Sequence, residues 1–250
     1  MYGDHRDLHS VPTRRSSDLI HQNYSWDKDL IASIADRVGG PVLELAAGTG
    51  RLAELIIDLG LDYTGIDTSN EFLNIAIEKV GNRATFLQDD MRQFDLGQQF
   101  NFIFIGFNSF LHNLTDHDAS RCLQSVHNHL TDVGTFLVSI FIPDLSFLYR
   151  EDGKLYPATS HFNFDGGRCR IMETNEFDDV TQINKLSWRL ERNGELETTK
   201  YQHSMRMFYP HMMDILLSDA GLEIKEKLGD YDGSPMDEES GMQIYVCTKA

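Results

Sequence analysis

Ten residues constrain this chain more than any other stretch. Val42-Leu43-Glu44-Leu45-Ala46-Ala47-Gly48-Thr49-Gly50-Arg51 runs an apolar, strand-like segment into a glycine turn and then into a helical pattern at Leu52–Leu59. A turn of this kind brings bare backbone amides to a ligand. Asp67 closes the next apolar run, Tyr63-Thr64-Gly65-Ile66. That is close to the spacing at which a carboxylate grips ribose hydroxyls in a βαβ nucleotide site. Together they point to an adenosine-containing cofactor.

From Pro41 onward, strand-like runs alternate with helical patterns, which predicts a parallel sheet covered by helices on both faces. Strands are expected at Val42–Ala46, Asp62–Ile66, Ala84–Gln88, Phe100–Gly106 and Thr135–Phe141, with helices near Arg51–Leu59, Asn70–Val80 and His117–Leu130. Thr115 with Asp118 three residues later forms a capping-box pattern before the last of these. Ahead of the first strand, Asp27–Val38 reads as a helix stopped by Gly39-Gly40-Pro41, placed to carry Tyr24 and Trp26 over the cofactor mouth.

After Pro143 the pattern becomes antiparallel, with runs near Arg168–Phe177, Gln182–Glu191 and Glu197–Met207. Asn193-Gly194 is the strongest short-range hairpin signal in the chain. Pro210–Ala220 then reads as a helix ended by Gly221, and Glu223–Leu228 and Gln243–Thr248 as closing strands. The expected fold is α/β, a Rossmann-like seven-stranded, mostly parallel sheet with an antiparallel β insertion capping the acceptor site. The expected organisation is one domain over residues 20–250, with a core of about 37–141 and 208–250 and an insertion of about 142–207.

Composition narrows the partners. The 250 residues carry a formal net charge of -17 without a basic patch, so nucleic acid and anionic membrane surfaces are not expected partners and a small molecule is. Cys122, Cys169 and Cys247 lie far apart without CxxC spacing, which suits the reducing cytoplasm and gives no metal cluster. Thr13-Arg14-Arg15-Ser16-Ser17-Asp18-Leu19 matches the translation of a common short-read sequencing adapter. Residues 1–19 are therefore expected to lie outside the fold.

The order of elements and four motifs resemble the class I S-adenosylmethionine-dependent methyltransferases, from roughly Tyr24 to the C-terminus. The first motif of that family is an acidic residue followed by a loop of the type GxGTG; here it is Glu44, then Ala46-Ala47 where Gly-Cys or Ala-Cys is common, then Gly48-Thr49-Gly50 intact. The second, Gly65-Ile66-Asp67-Thr68-Ser69, implies that Asp67 accepts hydrogen bonds from both ribose hydroxyls. In the third, Leu87-Gln88-Asp89-Asp90-Met91-Arg92, the resemblance gives Asp90 and the Met91 amide the adenine edge, with Asp89 in place of the usual glycine. The fourth, Phe107-Asn108-Ser109-Phe110-Leu111-His112, resembles the loop lining the methyl-transfer site, where small-molecule methyltransferases, including sugar N-methyltransferases, often carry a histidine.

The cofactor implied is S-adenosyl-L-methionine, held by Tyr24, Glu44, Ala46, Gly48, Gly50, Asp67, Thr68, Asp90, Met91 and Phe107, with His112 as general base and no metal. A histidine, with an ordinary pKa of about 6.5, can take a proton from an ammonium or hydroxyl at neutral pH. Asn108, Arg206 and Tyr231 are the candidate acceptor-binding residues, Tyr231 because Gly229-Asp230-Tyr231-Asp232-Gly233-Ser234-Pro235 resembles a loop near the acceptor pocket. Arg168 and Arg170 are alternatives to Arg206 for an anionic acceptor, and His117, His127, His129, His161, His203 and His211 read as surface residues. The loop after the fourth strand lacks N-P-P-Y or D-P-P-Y, which leaves a small-molecule acceptor with an amine nitrogen slightly preferred over oxygen. A cofactor-binding protein without methyl transfer is the second reading. A nicotinamide-dependent reductase ranks below both, because the first turn lacks GxGxxG.

Overall fold

The computed structural model describes residues 25–164 and 166–250; Tyr24 and residues 1–19 lie outside this range. In chain order, α1 (Lys28–Val38) precedes β1 (Val42–Leu45), α2 (Ala53–Asp58), β2 (Tyr63–Asp67), α3 (Asn70–Val80), β3 (Thr85–Gln88), β4 (Phe100–Ile105), α4 (Asp116–His129) and β5 (Leu130–Phe141). Next come α5 (Leu145–Leu148), β6 (Tyr156–Pro157), β7 (Phe162–Phe164), β8 (Gly167–Asp178), β9 (Ile183–Arg192), β10 (Glu195–Leu196) and β11 (Tyr201–Arg206). The chain ends with α6 (Pro210–Asp219), β12 (Leu222–Leu228) and β13 (Met242–Lys249). Two compact units result, one from residues 25–143 with 207–250 and one from residues 144–206. No helix among the described residues is long and apolar enough to cross a membrane.

The first unit is a seven-stranded sheet in the order β12-β13-β5-β4-β1-β2-β3, parallel except for β13. β1 is buried along its whole length, as a strand covered on both faces must be. Leu43, Leu45, Phe102, Phe104, Phe136 and Tyr245 form the core around it. Strand order reverses at β1, which pairs with β2 on one side and β4 on the other. Ligands bind in such sheets at the carboxyl ends of strands flanking this point. Because α1 leads into the start of β1, its own N-terminus lies at that same edge.

Local chemistry fixes the boundaries. Thr115 accepts from the Asp118 amide at 3.0 Å and donates its hydroxyl to the Asp118 carboxylate, closing α4 at its start. Ser69 caps α3 by accepting from Phe72 N. Pro210 opens α6 at a position where no amide is needed, and Gly221 takes the left-handed turn beyond its end with φ 73°. β5 begins at Leu130, five residues before the alternation becomes legible, because Leu130 pairs with Phe100 across an irregular register.

The second unit is an antiparallel sheet built on the β8–β9 hairpin, with β6 and β7 on the outer side of β8, and β10 and β11 on β9. Asn193 and Gly194, both with positive φ, turn β9 back as the Asn-Gly pair predicts. The expected strand over 197–207 is instead β10 and β11, separated by residues 197–200. β6, β7 and α5 are too short to leave a periodic signal. Cys169, Ile171 and Leu190 form this unit's core, with Phe162, Phe164 and Trp188 against it.

Gly65 sets how closely β2 approaches the glycine loop, since a Cβ there would come within 2.8 Å of the Ala47 Cβ and 3.0 Å of the Phe86 ring. Gly65→Ala is therefore expected to destabilise the protein by about 1–3 kcal/mol in urea unfolding, the usual cost of overpacking.

Candidate active site

The loop after β1 is tied to β2 before any ligand arrives. The Gly48 amide donates to Asp67 Oδ2 at 2.9 Å, and the Ser69 amide to Asp67 Oδ1 at 2.8 Å. The Ala47 amide donates to the Ile66 carbonyl at 2.9 Å, and the Asp89 amide to the Asp67 carbonyl at 3.2 Å. The Gly48 amide is thus committed to Asp67 rather than bare, which corrects the expectation from the glycine turn. Its effect is to lock the carboxylate in one orientation with lone pairs left over for further donors.

Ala46 takes φ 57°, a left-handed conformation that glycine adopts without strain. A Cβ on Gly48 or Gly106 would meet nothing within 4 Å, so the carboxyl ends of β1 and β4 both face open space at the switch point. A cradle of this shape beside an oriented carboxylate fits the adenosyl cofactor.

Glu44 sits beneath the loop, almost wholly buried, and accepts a short hydrogen bond from the Tyr63 hydroxyl. Burial pushes its carboxyl up to about 8, against opposing contributions from Tyr63 and Arg51. Burial and the neighbouring Glu44 likewise hold the Tyr63 phenol well above its ordinary range. Thr68 is exposed, and its carbonyl accepts from Gln88 Nε2 at 3.0 Å. Asp90 presents both oxygens to Arg92, at 2.5 to 3.0 Å, and its acidity is strengthened by that partner. Met91 follows, half-buried, in a turn closed by Gln93 N donating to the Asp90 carbonyl at 2.9 Å.

The loop after β4 is strained. Phe107 and Asn108 both have positive φ, 53° and 65°, at an expected cost of about 1–3 kcal/mol each. The conformation is held by Asn108 N donating to the Ser139 carbonyl at 3.1 Å and by Phe141 N donating to Asn108 Oδ1 at 2.8 Å. His112 is exposed at the end of the short 3-10 helix Ser109–His112 that follows. Tyr231 is buried, and its hydroxyl donates to Ser139 Oγ at 3.0 Å. It therefore braces the same residue whose carbonyl holds Asn108. Arg206 ends β11 in the second unit and is buried. Arg170 spends its fork on Glu191 at 2.8 and 3.0 Å.

His129 departs furthest from the surface reading, and His127 and His203 are half-buried. His129 is buried, its Nε2 accepting from the Leu96 amide at 3.1 Å and its Nδ1 lying 2.8 Å from the Ser125 carbonyl, so it acts as a structural bridge. All three cysteines are buried and free, and burial pushes Cys122 and Cys247 up to about 12. Among the described residues no group of three or more His, Cys, Asp or Glu side chains is arranged to hold a metal. Sequence reasoning missed Asp27, Arg51, Tyr63 and Ser139. Arg51 adjoins the glycine motif and Asp27 precedes a helix, but neither position signals its partner.

A sheet of this order with a glycine loop after β1, an acidic residue ending β2 and a strained loop after β4 defines a class I methyltransferase fold. Residues 42–134 match the family described as a methyltransferase domain. YqeM of Bacillus subtilis (strain 168), a methyltransferase by name, is 24% identical over 244 residues, 93% of each chain. The dTDP-3-amino-3,4,6-trideoxy-alpha-D-glucopyranose N,N-dimethyltransferase of Streptomyces venezuelae is 27% identical over 52% of this chain and 58% of its own. Among solved structures, the CcbJ methyltransferase from Streptomyces caelestis superposes with a TM-score of 0.77 at 23% identity, covering 91% of this chain and 97% of CcbJ. Residues 42–134 thus match a methyltransferase domain, the chain has the fold of the S-adenosylmethionine-dependent methyltransferases, and S-adenosylmethionine is the cofactor these matches support.

Glu44 supplies a test of this arrangement through pH. In the folded protein its carboxyl ionises near about 8 instead of 4.5, so between those values the native state holds a proton that the unfolded state has lost. Stability from this group is complete at the acidic end and is lost as pH rises through the folded value. Compared with Glu44→Gln, the wild type is expected to lose stability progressively from pH 5 to pH 8 in chemical unfolding, whereas parallel curves would show that Glu44 is ionised throughout.

Proposed function

We propose that this methyltransferase acts on a small-molecule acceptor and that the atom methylated is an amine nitrogen. The observation carrying this reading is a groove of about 720 Å³ at the carboxyl edge of the sheet, lined by Trp26, Asp29, Leu30, Ser33, Asp230, Tyr231 and Asp232. Trp26 is 73% exposed, and the three carboxylates are exposed with it. An aromatic face beside several carboxylates attracts an ammonium group and offers little to an anion. The name of the Streptomyces venezuelae relative, an amino-sugar N,N-dimethyltransferase, supports the same class of acceptor.

When bound, the cofactor supplies an activated methyl group that leaves its sulfur in an in-line displacement. The chain's own task is alignment and proton removal, and proximity and orientation are worth roughly 7–11 kcal/mol in such reactions. In our reading Asp67 holds the ribose, Met91 and Asp90 meet the adenine, and Ala46, Gly48 and Thr68 form the wall of the cradle, with buried Glu44 and Gly50 supporting it from beneath. Phe107 and Asn108 shape the floor of the transfer site, and His112 takes the proton from the acceptor ammonium so that the nitrogen lone pair is free to attack.

The experiment is a radiolabelled methyl-transfer screen of amines, amino sugars among them, against their hydroxyl isosteres. Turnover confined to the amines is the expected result, and turnover of the hydroxyl compounds alone overturns the choice of atom. Asp67→Ala is expected to weaken S-adenosylhomocysteine binding by about 1.5–3 kcal/mol in titration calorimetry, the range for hydrogen bonds to a charged group. His112→Ala is expected to keep that affinity and lower turnover by roughly a hundredfold, with the loss greatest at and above neutral pH, where a neutral imidazole can accept the proton, and shrinking as pH falls.

A further inference from the structure

Asp27 stands at the N-cap position of α1, where an aspartate ordinarily caps its own helix, yet its side chain makes no cap bond. The carboxylate is instead fully buried and accepts from both terminal nitrogens of Arg51, at 2.9 and 2.5 Å. Arg51 is the residue immediately after Gly48-Thr49-Gly50. Its guanidinium carbon lies 5.8 Å from the centroid of the Phe107 ring, on the strained loop after β4. One ion pair thus joins the three chain segments that meet at the carboxyl edge: the start of α1, the exit of the glycine loop and the transfer-site loop.

Stability alone does not account for a buried pair in this place. Apolar residues of similar size hold a helix to a loop as well or better, because burying two charges costs much of what their attraction returns. A two-bond fork adds direction, since a planar guanidinium gripped at both ends cannot swing. We propose that Asp27 and Arg51 are positioning residues for the cofactor, a charged clamp that fixes the far wall of the glycine loop and the Phe107 ring and so sets how long the cofactor stays bound. The proposal rests on the assignment of the cofactor to this cleft.

The same pair faces Glu44, together with Tyr63 and Asp67, and its two members act on that carboxyl in opposite senses: Arg51 favours ionisation and Asp27 opposes it. This separates a clamp from a generally loosened fold. Dissociation of S-adenosylhomocysteine from the full chain is measured by stopped flow in wild type, Asp27→Asn, Arg51→Met, Arg51→Lys and the double variant Asp27→Asn/Arg51→Met. The double variant removes both charges at once and is the one expected to keep wild-type thermal stability.

All four variants are expected to release the ligand about tenfold faster, Arg51→Lys included, because a lysine keeps the charge but not the fork. The pH range over which Glu44 loses its stabilising proton in chemical unfolding should move down in Asp27→Asn and up in Arg51→Met, whereas a merely structural lesion would move both the same way. Wild-type dissociation in the double variant, or shifts of one sign in both single variants, overturns the clamp. If the wild type itself does not bind S-adenosylhomocysteine, the cofactor assignment falls and the clamp with it; binding by the wild type with unchanged variants removes the clamp alone.

Discussion

One carboxylate ties the cofactor end of the sheet together. Asp67 receives the Gly48 amide on one oxygen and the Ser69 amide on the other, while its own carbonyl accepts from Asp89. The glycine loop, the cap of α3 and the loop after β3 are therefore held by a single residue at the end of β2. Charge-assisted hydrogen bonds of this kind are about twice as strong as neutral ones. A site whose polar groups are already oriented spends less of its binding energy on ordering itself.

Beneath that loop the chemistry is different in kind. Glu44, Tyr63 and Asp27 are buried ionisable groups beside a β1 that is buried along its whole length, and half-buried Arg51 reaches in to Asp27. Burial favours the protonated form of Glu44, and Tyr63 supplies the one hydrogen bond that a buried carboxyl can least do without. The loop after β4 is held from the other side, with Tyr231 bracing Ser139 and Ser139 holding Asn108 in a left-handed conformation. A strained loop persists only when its surroundings over-determine it, and these contacts supply that determination.

Much of the fold was legible in the residues because its signals are local. The strand-turn-helix unit at Val42–Leu59, the capping pair Thr115 and Asp118 and the Asn193-Gly194 hairpin each rest on neighbours a few positions apart, and all appear in the structure. The short elements β6, β7 and α5 carry no period, and the early start of β5 depends on pairing with Phe100, so neither could be read in advance. At the site, the motif residues Glu44, Gly48, Asp67, Asn108 and Tyr231 were named from their pattern, but their partners were not. The motif that points Asp90 at a ligand does not show that its oxygens also lie on Arg92, and the loop that points Tyr231 at the acceptor does not show that its hydroxyl lies on Ser139. His129 read as a surface residue because a helix position does not reveal that Leu96 will need an acceptor.

The sequence by itself determined the order of elements, the glycine loop and the acidic residue that follows it, since hydrophobic period, turn chemistry and capping act over a handful of residues. Tertiary structure decided which charges meet. Arg51 finds Asp27 across 24 positions, Tyr63 finds Glu44 across 19, and Tyr231 finds Ser139 across 92. Those pairings, and with them the protonation of Glu44 and the conformation of the loop after β4, follow from the desolvation that only packing imposes: a polar group must find a partner once water is gone, and the topology of the sheet determines which partner is within reach.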